Sequence, residues 1–215
     1  MVTSQLSLYN GALALLGSAE LASLTESRAS RRALDTAWDN GAIVNCLEEG
    51  YFTFAIRSVE LTYDASIDPD WGYVHAFDKN ESNDYIRTSA VCSDPYFNSP
   101  ITEYSDEAGY IWCDLDTIYF RYVSSHTSYG YNYAEYPETF SRFVEAYLAD
   151  KIAPRITQSD AKIESIRMVL KKAKMNACSK DAMNNPTKFM PLNTWSKARL
   201  GGGGSTRDGG SRTTF

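Results

Sequence analysis

The chain has 215 residues, 43% of them hydrophobic and 13% aromatic, with a formal net charge of −6. That length supports a domain with a substantial core plus an insertion or appendage, and the acidic balance argues against a free nucleic-acid binder. Cys46, Cys92, Cys113 and Cys178 lack C-x-x-C spacing and have only His75 and His126 to join them. This points away from zinc and from a disulfide framework, and toward buried thiols in a reducing compartment.

Charge is unevenly spread. Residues 48–116 hold fifteen acidic and three basic residues, whereas 142–180 hold nine basic and four acidic. Identical copies with such a distribution attract one another heterologously, acidic face to basic face, or else carry two solvated faces that never meet. Fifteen tyrosines suit half-buried and interfacial positions as well as strand surfaces.

In chain order, Leu6, Tyr9, Leu13 and Leu16 recur at helical steps, so a first helix is expected over residues 4–16, with Gly17 as its C-terminal cap. The segment lacks a basic leader and is interrupted by Gln5, Tyr9 and Asn10, so it reads as amphipathic rather than as a signal peptide. No run approaches the ~20 apolar residues of a membrane span. Ser27 is placed to cap a second helix over 28–47, whose apolar face carries Leu34, Ala37, Trp38 and Gly41. Residues 55–61, AIRSVEL, fit helix or strand.

The stretch 64–136 is rich in Tyr, Asp, Ser and Asn, with turn signals at Asp68-Pro69, Asp94-Pro95 and Ser99-Pro100. Short β runs fit 86–91, 110–113 and 117–123, with a hairpin turn at Gly109. Pro137 restarts helix in its first turn, and Phe140, Phe143, Val144, Tyr147, Leu148 and Ile152 form an apolar stripe that Pro154 should end. Thr157 with Asp160 resembles a capping box for a further helix carrying Ile163, Ile166, Leu170, Ala173 and Ala177 on one side. Regular structure should stop after Pro186, and the Gly-rich end reads as a linker or as an arm that orders on a partner. The expected class is α+β: an antiparallel helical bundle with a small β-rich insertion and an extended C-terminal arm. Its segments are N-terminal helices (1–60), insertion (61–136), C-terminal helices (137–185) and arm (186–215).

Candidate chemistry is sparse. Asp68 and Asp70 lie in a turn, where aspartates bond local backbone. Asp114 and Asp116 at strand spacing would share one face and serve a divalent ion or a glycosidase only if further ligands converge. Tyr129, Tyr131, Tyr133 and Tyr136 alternate as sugar-stacking rings do, or as loop tyrosines packed on the domain. Neither histidine sits in a nucleophile motif, G-x-S-x-G is absent, and Gly201–Gly204 lacks the Lys-Ser/Thr of a phosphate loop. The basic residues 171–180 suit DNA phosphates or plain solvation. No catalytic residue, metal ligand or cofactor is assigned.

Three stretches taken in order carry a resemblance: YNGALALLGSAELASLTESRASRRALDTAWDNGAIVNCLE, the F-x-x-R segment Phe54-Ala55-Ile56-Arg57, and YPETFSRFVEAYLADKIAPRITQSDAKIESIRMVLKKAKMNA. Together they resemble the head-to-tail adaptor (tail tubular protein A-like) family of tailed bacteriophages, over about residues 6–185. Tyr51-Phe52 stands where the family has Pro-Trp, and Asn83-Asp84-Tyr85-Ile86 where it has Leu-Pro-x-Asp. The resemblance implies a non-enzymatic virion subunit at the head–tail junction, assembled in the host cytoplasm. It further implies a dodecameric ring binding the portal protein above and the tail nozzle or tube below, with viral DNA passing through without sequence-specific contact and no membrane partner. A portal-binding arm would fall on Leu192, Trp195, Arg199, Arg207, Arg212 and Phe215. Subunit-interface candidates are Arg31, Arg32, Lys171, Lys172 and Lys174. The rival expectations are a carbohydrate-binding or glycan-hydrolysing tail component and another tube or collar protein.

Overall fold

The computed structural model of the chain describes residues 3–69 and 72–184. Helix α1 (Gln5–Leu16) starts at a capping box, in which the Ser4 hydroxyl accepts the Ser7 N–H at 3.2 Å and the Ser7 hydroxyl accepts the Ser4 N–H at 2.9 Å. It ends at Gly17 in the left-handed conformation, as expected. The helix expected over 28–47 is two helices, α2 (Ala29–Asp39) and α3 (Ala42–Glu48). Gly41 adopts φ 80°, which breaks the helical path and is cheap only without a Cβ. Ser27 is not the cap. Arg28 holds that position without a side-chain cap bond, and instead pairs with Glu26 at 2.7 Å and donates to the Glu20 carbonyl at 3.0 Å.

A 3-10 turn at Thr53–Ala55 leads into β1 (Ile56–Thr62), so AIRSVEL is largely extended and the β-rich part begins ahead of residue 60. Then come β2 (His75–Asp78), β3 (Tyr85–Cys92), β4 (Ser105–Glu107), β5 (Tyr110–Cys113) and β6 (Thr117–Ser124). They form two three-stranded antiparallel sheets, ordered β1-β6-β3 and β2-β5-β4. Ala108 and Gly109, both at positive φ, make the two-residue turn of the β4–β5 hairpin, a geometry that follows the strand twist.

Pro137 sits just outside α4 (Glu138–Ile156), at its N-cap, and not within the first turn. Pro154 does not end that helix. It lies on the exposed side near the C-terminus, where its missing N–H removes only one ladder bond, while buried Ile152 and Ala153 hold the last turn in place. The Thr157 N–H closes the turn on the Ala153 carbonyl at 2.8 Å. The Thr157 side chain therefore serves the connection, accepting from the Ser159 N–H at 3.3 Å, and no capping box forms with Asp160 at the start of α5 (Asp160–Asn184).

Helix α4 packs against each of the other four helices. Its Phe140, Phe143, Val144, Leu148 and Ile152 join Leu8, Tyr9 and Leu13 of α1, Leu34 of α2, and Ile43 and Leu47 of α3 in the larger core. Burying each such side chain stabilises the fold by about 1.5–3 kcal/mol. A second, smaller core is shared by the two sheets and contains Leu61, Phe77, Val91, Ile111, Ile118 and Phe120. Among the described residues the result is a mixed α/β fold of five helices and two small antiparallel sheets, in one unit ending at Asn184. Among the described residues no helix is long and apolar enough to cross a membrane.

Candidate functional site

The Asp114/Asp116 pair is not on a strand. Both residues lie in the β5–β6 connection and their carboxylates serve different partners. Asp114 accepts the Val74 N–H at 3.0 Å, which fastens the start of β2, while the exposed Asp116 lies 3.2 Å from His75 Nε2. The His75 ring stacks on Tyr63 with centroids 4.1 Å apart. Cys113 is the cross-strand partner of His75, but it is buried in the smaller core and burial pushes its thiol pKa up, so no thiolate is poised there. Among the described residues no group of three or more His, Cys, Asp or Glu gathers to hold a metal.

The alternating tyrosines are packing elements. Tyr136 is 6% exposed, and Tyr131 and Tyr133 pack against the helical core. Edge-to-face contacts run from Tyr9 to Trp38 (5.5 Å), Trp38 to Tyr133 (5.7 Å), Tyr133 to Tyr136 (5.7 Å) and Tyr136 to Phe140 (4.8 Å). Burial pushes the phenol of Tyr136 far above its ordinary range, and its hydroxyl donates to the Gly130 carbonyl at 2.5 Å.

A buried carboxylate organises the β1-β6-β3 sheet. Asp84, 4% exposed, accepts from Arg57 Nη1 and from the Tyr122 hydroxyl at 2.8 Å each, and from the Ser124 hydroxyl. Burial alone would raise its pKa, but these donors outweigh burial and hold it below the usual carboxylate range. Every acceptor is engaged inward, so this is a lock between β1, β3 and β6 and not a reactive acid.

A groove of about 450 Å³ is lined by Leu15, Thr139, Arg142, Glu145, Val169, Lys172, Ala173 and Asn176, drawn from α1, α4 and α5. Glu145 is half-buried beside Gly11, where an added Cβ would lie 2.2 Å from its carboxyl carbon. Burial, aided by Glu138 and opposed by Arg142, pushes its pKa up to about 7. A second opening, about 470 Å³, lies at the β2-β5-β4 sheet and is lined by Pro69, Gly72, Tyr73, Tyr104, Ser105, Glu107 and Trp112. Neither site was legible in the sequence, because each gathers residues from segments far apart in the chain.

Of the interface candidates, Arg31 pairs with Asp35 at 2.6 Å and donates to the Leu24 carbonyl at 3.1 Å, while Arg32 is exposed. Lys171 and Lys172 are exposed on α5, and Lys174 is engaged with Glu49. Leu192, Trp195, Arg199, Arg207, Arg212 and Phe215 lie outside the described residues. Compared with protein-family models and with curated proteins, the chain matches none of either.

Proposed function

We propose that the chain is a structural virion protein: an adaptor subunit that joins copies of itself in a ring between the portal and the tail, and lines part of the DNA exit channel. In this reading α1 to α5 form an antiparallel bundle, the sheets are its insertion, and residues beyond 185 reach the portal. One observation carries it. Helices from the two ends of the chain close a single core around α4 with the β-rich part between them, the segment order that the adaptor resemblance implies. The polar clusters support the same reading, since Asp84, Asp114 and Asp116 serve local structure and not a shared reaction centre.

The test is assembly. Mixed with the portal ring of its own virion, the chain should form a closed complex of defined stoichiometry, read by native mass spectrometry and negative-stain imaging. No complex at any concentration would overturn the adaptor reading.

A second reading, a glycan-binding or glycan-hydrolysing tail component, is favoured by the opening that sets Tyr73, Tyr104 and Trp112 beside Glu107. Aromatic faces with a nearby carboxylate suit sugar rings. Trp112→Ala should abolish retention on a polysaccharide column if this reading holds, and leave it unchanged if it does not.

A further inference from the structure

Two exposed patches on this chain complement each other. The first is the outward side of α5. Its inner side is spent on Ile163, Ile166, Leu170, Ala173 and Ala177, yet Met168 is 62% exposed, Val169 41%, Met175 64% and Met183 72%. Met168 and Met175 lie two turns apart on one face, with Lys171 and Lys172 between them and Lys180 beyond. From 165 to 183 the single acidic residue is Asp181, which is buried and accepts from the Thr53 N–H and hydroxyl, so no carboxylate of this stretch lies among Lys171, Lys172 and Lys180. The exposed carboxylate of the same helix nearest the patch is Glu164, one turn before Met168. Methionine is flexible and polarisable, and exposed methionines are suited to receiving another protein surface.

The second patch is the β5–β6 turn. Leu115 is 38% exposed between Asp114 and Asp116; Val74, whose N–H bonds to Asp114, is 63% exposed, and Tyr63, which stacks on His75, is 40% exposed. The turn is pre-set by the Asp114 bond to the Val74 N–H, and His75 pairs with Asp116. It is an apolar knob flanked by carboxylates, while the α5 face is an apolar strip flanked by ammonium groups. Both stay exposed in a single copy of the chain.

We infer that the acidic knob of one copy docks on the methionine-lined face of α5 in the next, a head-to-tail contact between copies. The inference deepens the ring reading and rests on it. Charge selects the occupant. Residues 185–215 carry five basic residues against Asp208 and so share the charge sign of this face, whereas the neighbour's knob is opposite in sign. A heterologous contact of this kind repeats from copy to copy, and it closes into a ring when the rotation permits.

The test is sedimentation velocity on the full chain over a concentration series, with two surface variants. One carries Lys171→Glu and Lys172→Glu; the other carries Leu115→Lys and Asp116→Lys, which leaves Asp114 in place. Both should keep the parent circular dichroism and melting temperature. Self-association of the parent should weaken about tenfold or more in each variant, and mixing the two variants should restore it, since each then offers the other a matched partner. Parent association that neither variant changes would overturn this contact and leave the ring reading standing on another face. A chain monomeric by itself that still assembles on the portal would have the same meaning, whereas failure to assemble on the portal would defeat the ring reading itself. Lysines that shift duplex DNA while self-association is unaffected by their reversal would assign the α5 face to DNA and also overturn the proposal.

Discussion

The helical and β-rich parts of this molecule are stabilised in different ways. The helical part has a broad apolar core centred on α4, with aromatic rings bridging its layers. The β-rich part has a smaller core, eight buried residues among those described; its β1-β6-β3 sheet is tied together by polar groups at Asp84, and Gly130 fits closely between the Ser124 carbonyl and Leu47 of α3. Cutting one buried Leu or Ile of the large core to Ala costs about 2–5 kcal/mol but leaves its many other contacts in place. The polar lock of the β-rich part rests on one carboxylate and its tight approach on one glycine, so single substitutions at Asp84 and Gly130 test that part most directly.

The largest effect is expected at Asp84. Asp84→Ala leaves Arg57 and the hydroxyls of Tyr122 and Ser124 without their acceptor, and should cost about 3–4 kcal/mol, read by urea denaturation. Because the folded-state pKa of Asp84 is depressed, its contribution is present above the ordinary carboxylate value and is lost as pH falls through the folded one. The β-rich part should therefore loosen first in acid, seen as exchange of β1, β3 and β6 amides ahead of α4. Equal exchange in both parts would dissolve the contrast.

Gly130→Ala comes next. An added Cβ would lie 2.2 Å from the Ser124 carbonyl oxygen and 2.7 Å from Leu47 Cδ1, so backbone has to move. The expected loss is about 2–3 kcal/mol, measurable as a fall in melting temperature.

The smallest effect concerns Glu145, in the helical part. Its folded-state pKa of about 7 lies above the ordinary glutamate value, so ionisation weakens the fold progressively as pH rises from about 4.5 through 7. Glu145→Gln should stabilise the chain by about 1 kcal/mol at pH 8, a figure discounted for a carboxyl that still meets solvent, and should be neutral near pH 4. Equal melting-temperature changes at both pH values would contradict this account of the groove.

The same contrast governs what the sequence disclosed. Helices α1, α4 and α5 were legible because their apolar residues recur at helical spacing, and α4 outlasted Pro154 because buried neighbours outweighed one missing bond. The break at Gly41 was signalled by Asn40-Gly41, a turn dipeptide that the surrounding helical pattern masked. Strands β3, β5 and β6 carry branched and aromatic runs and were found, whereas β4 is Ser-Asp-Glu and has no apolar residue to announce it. The tyrosines at 131, 133 and 136 kept two meanings until their ring contacts chose packing. Glu145 and the aromatic opening at Trp112 depend on tertiary proximity, which no local pattern encodes.

The docking of α1 on α4 has a bearing on how the chain is made. More than a hundred residues separate the end of α1 from the start of α4. At ~5–20 residues per second, a ribosome holds Leu8, Leu13 and Leu16 unpaired for roughly ten seconds before their main partner emerges. During that interval the nascent N-terminal helix presents bare apolar surface to whatever is nearby, chaperones and sister polysomes included.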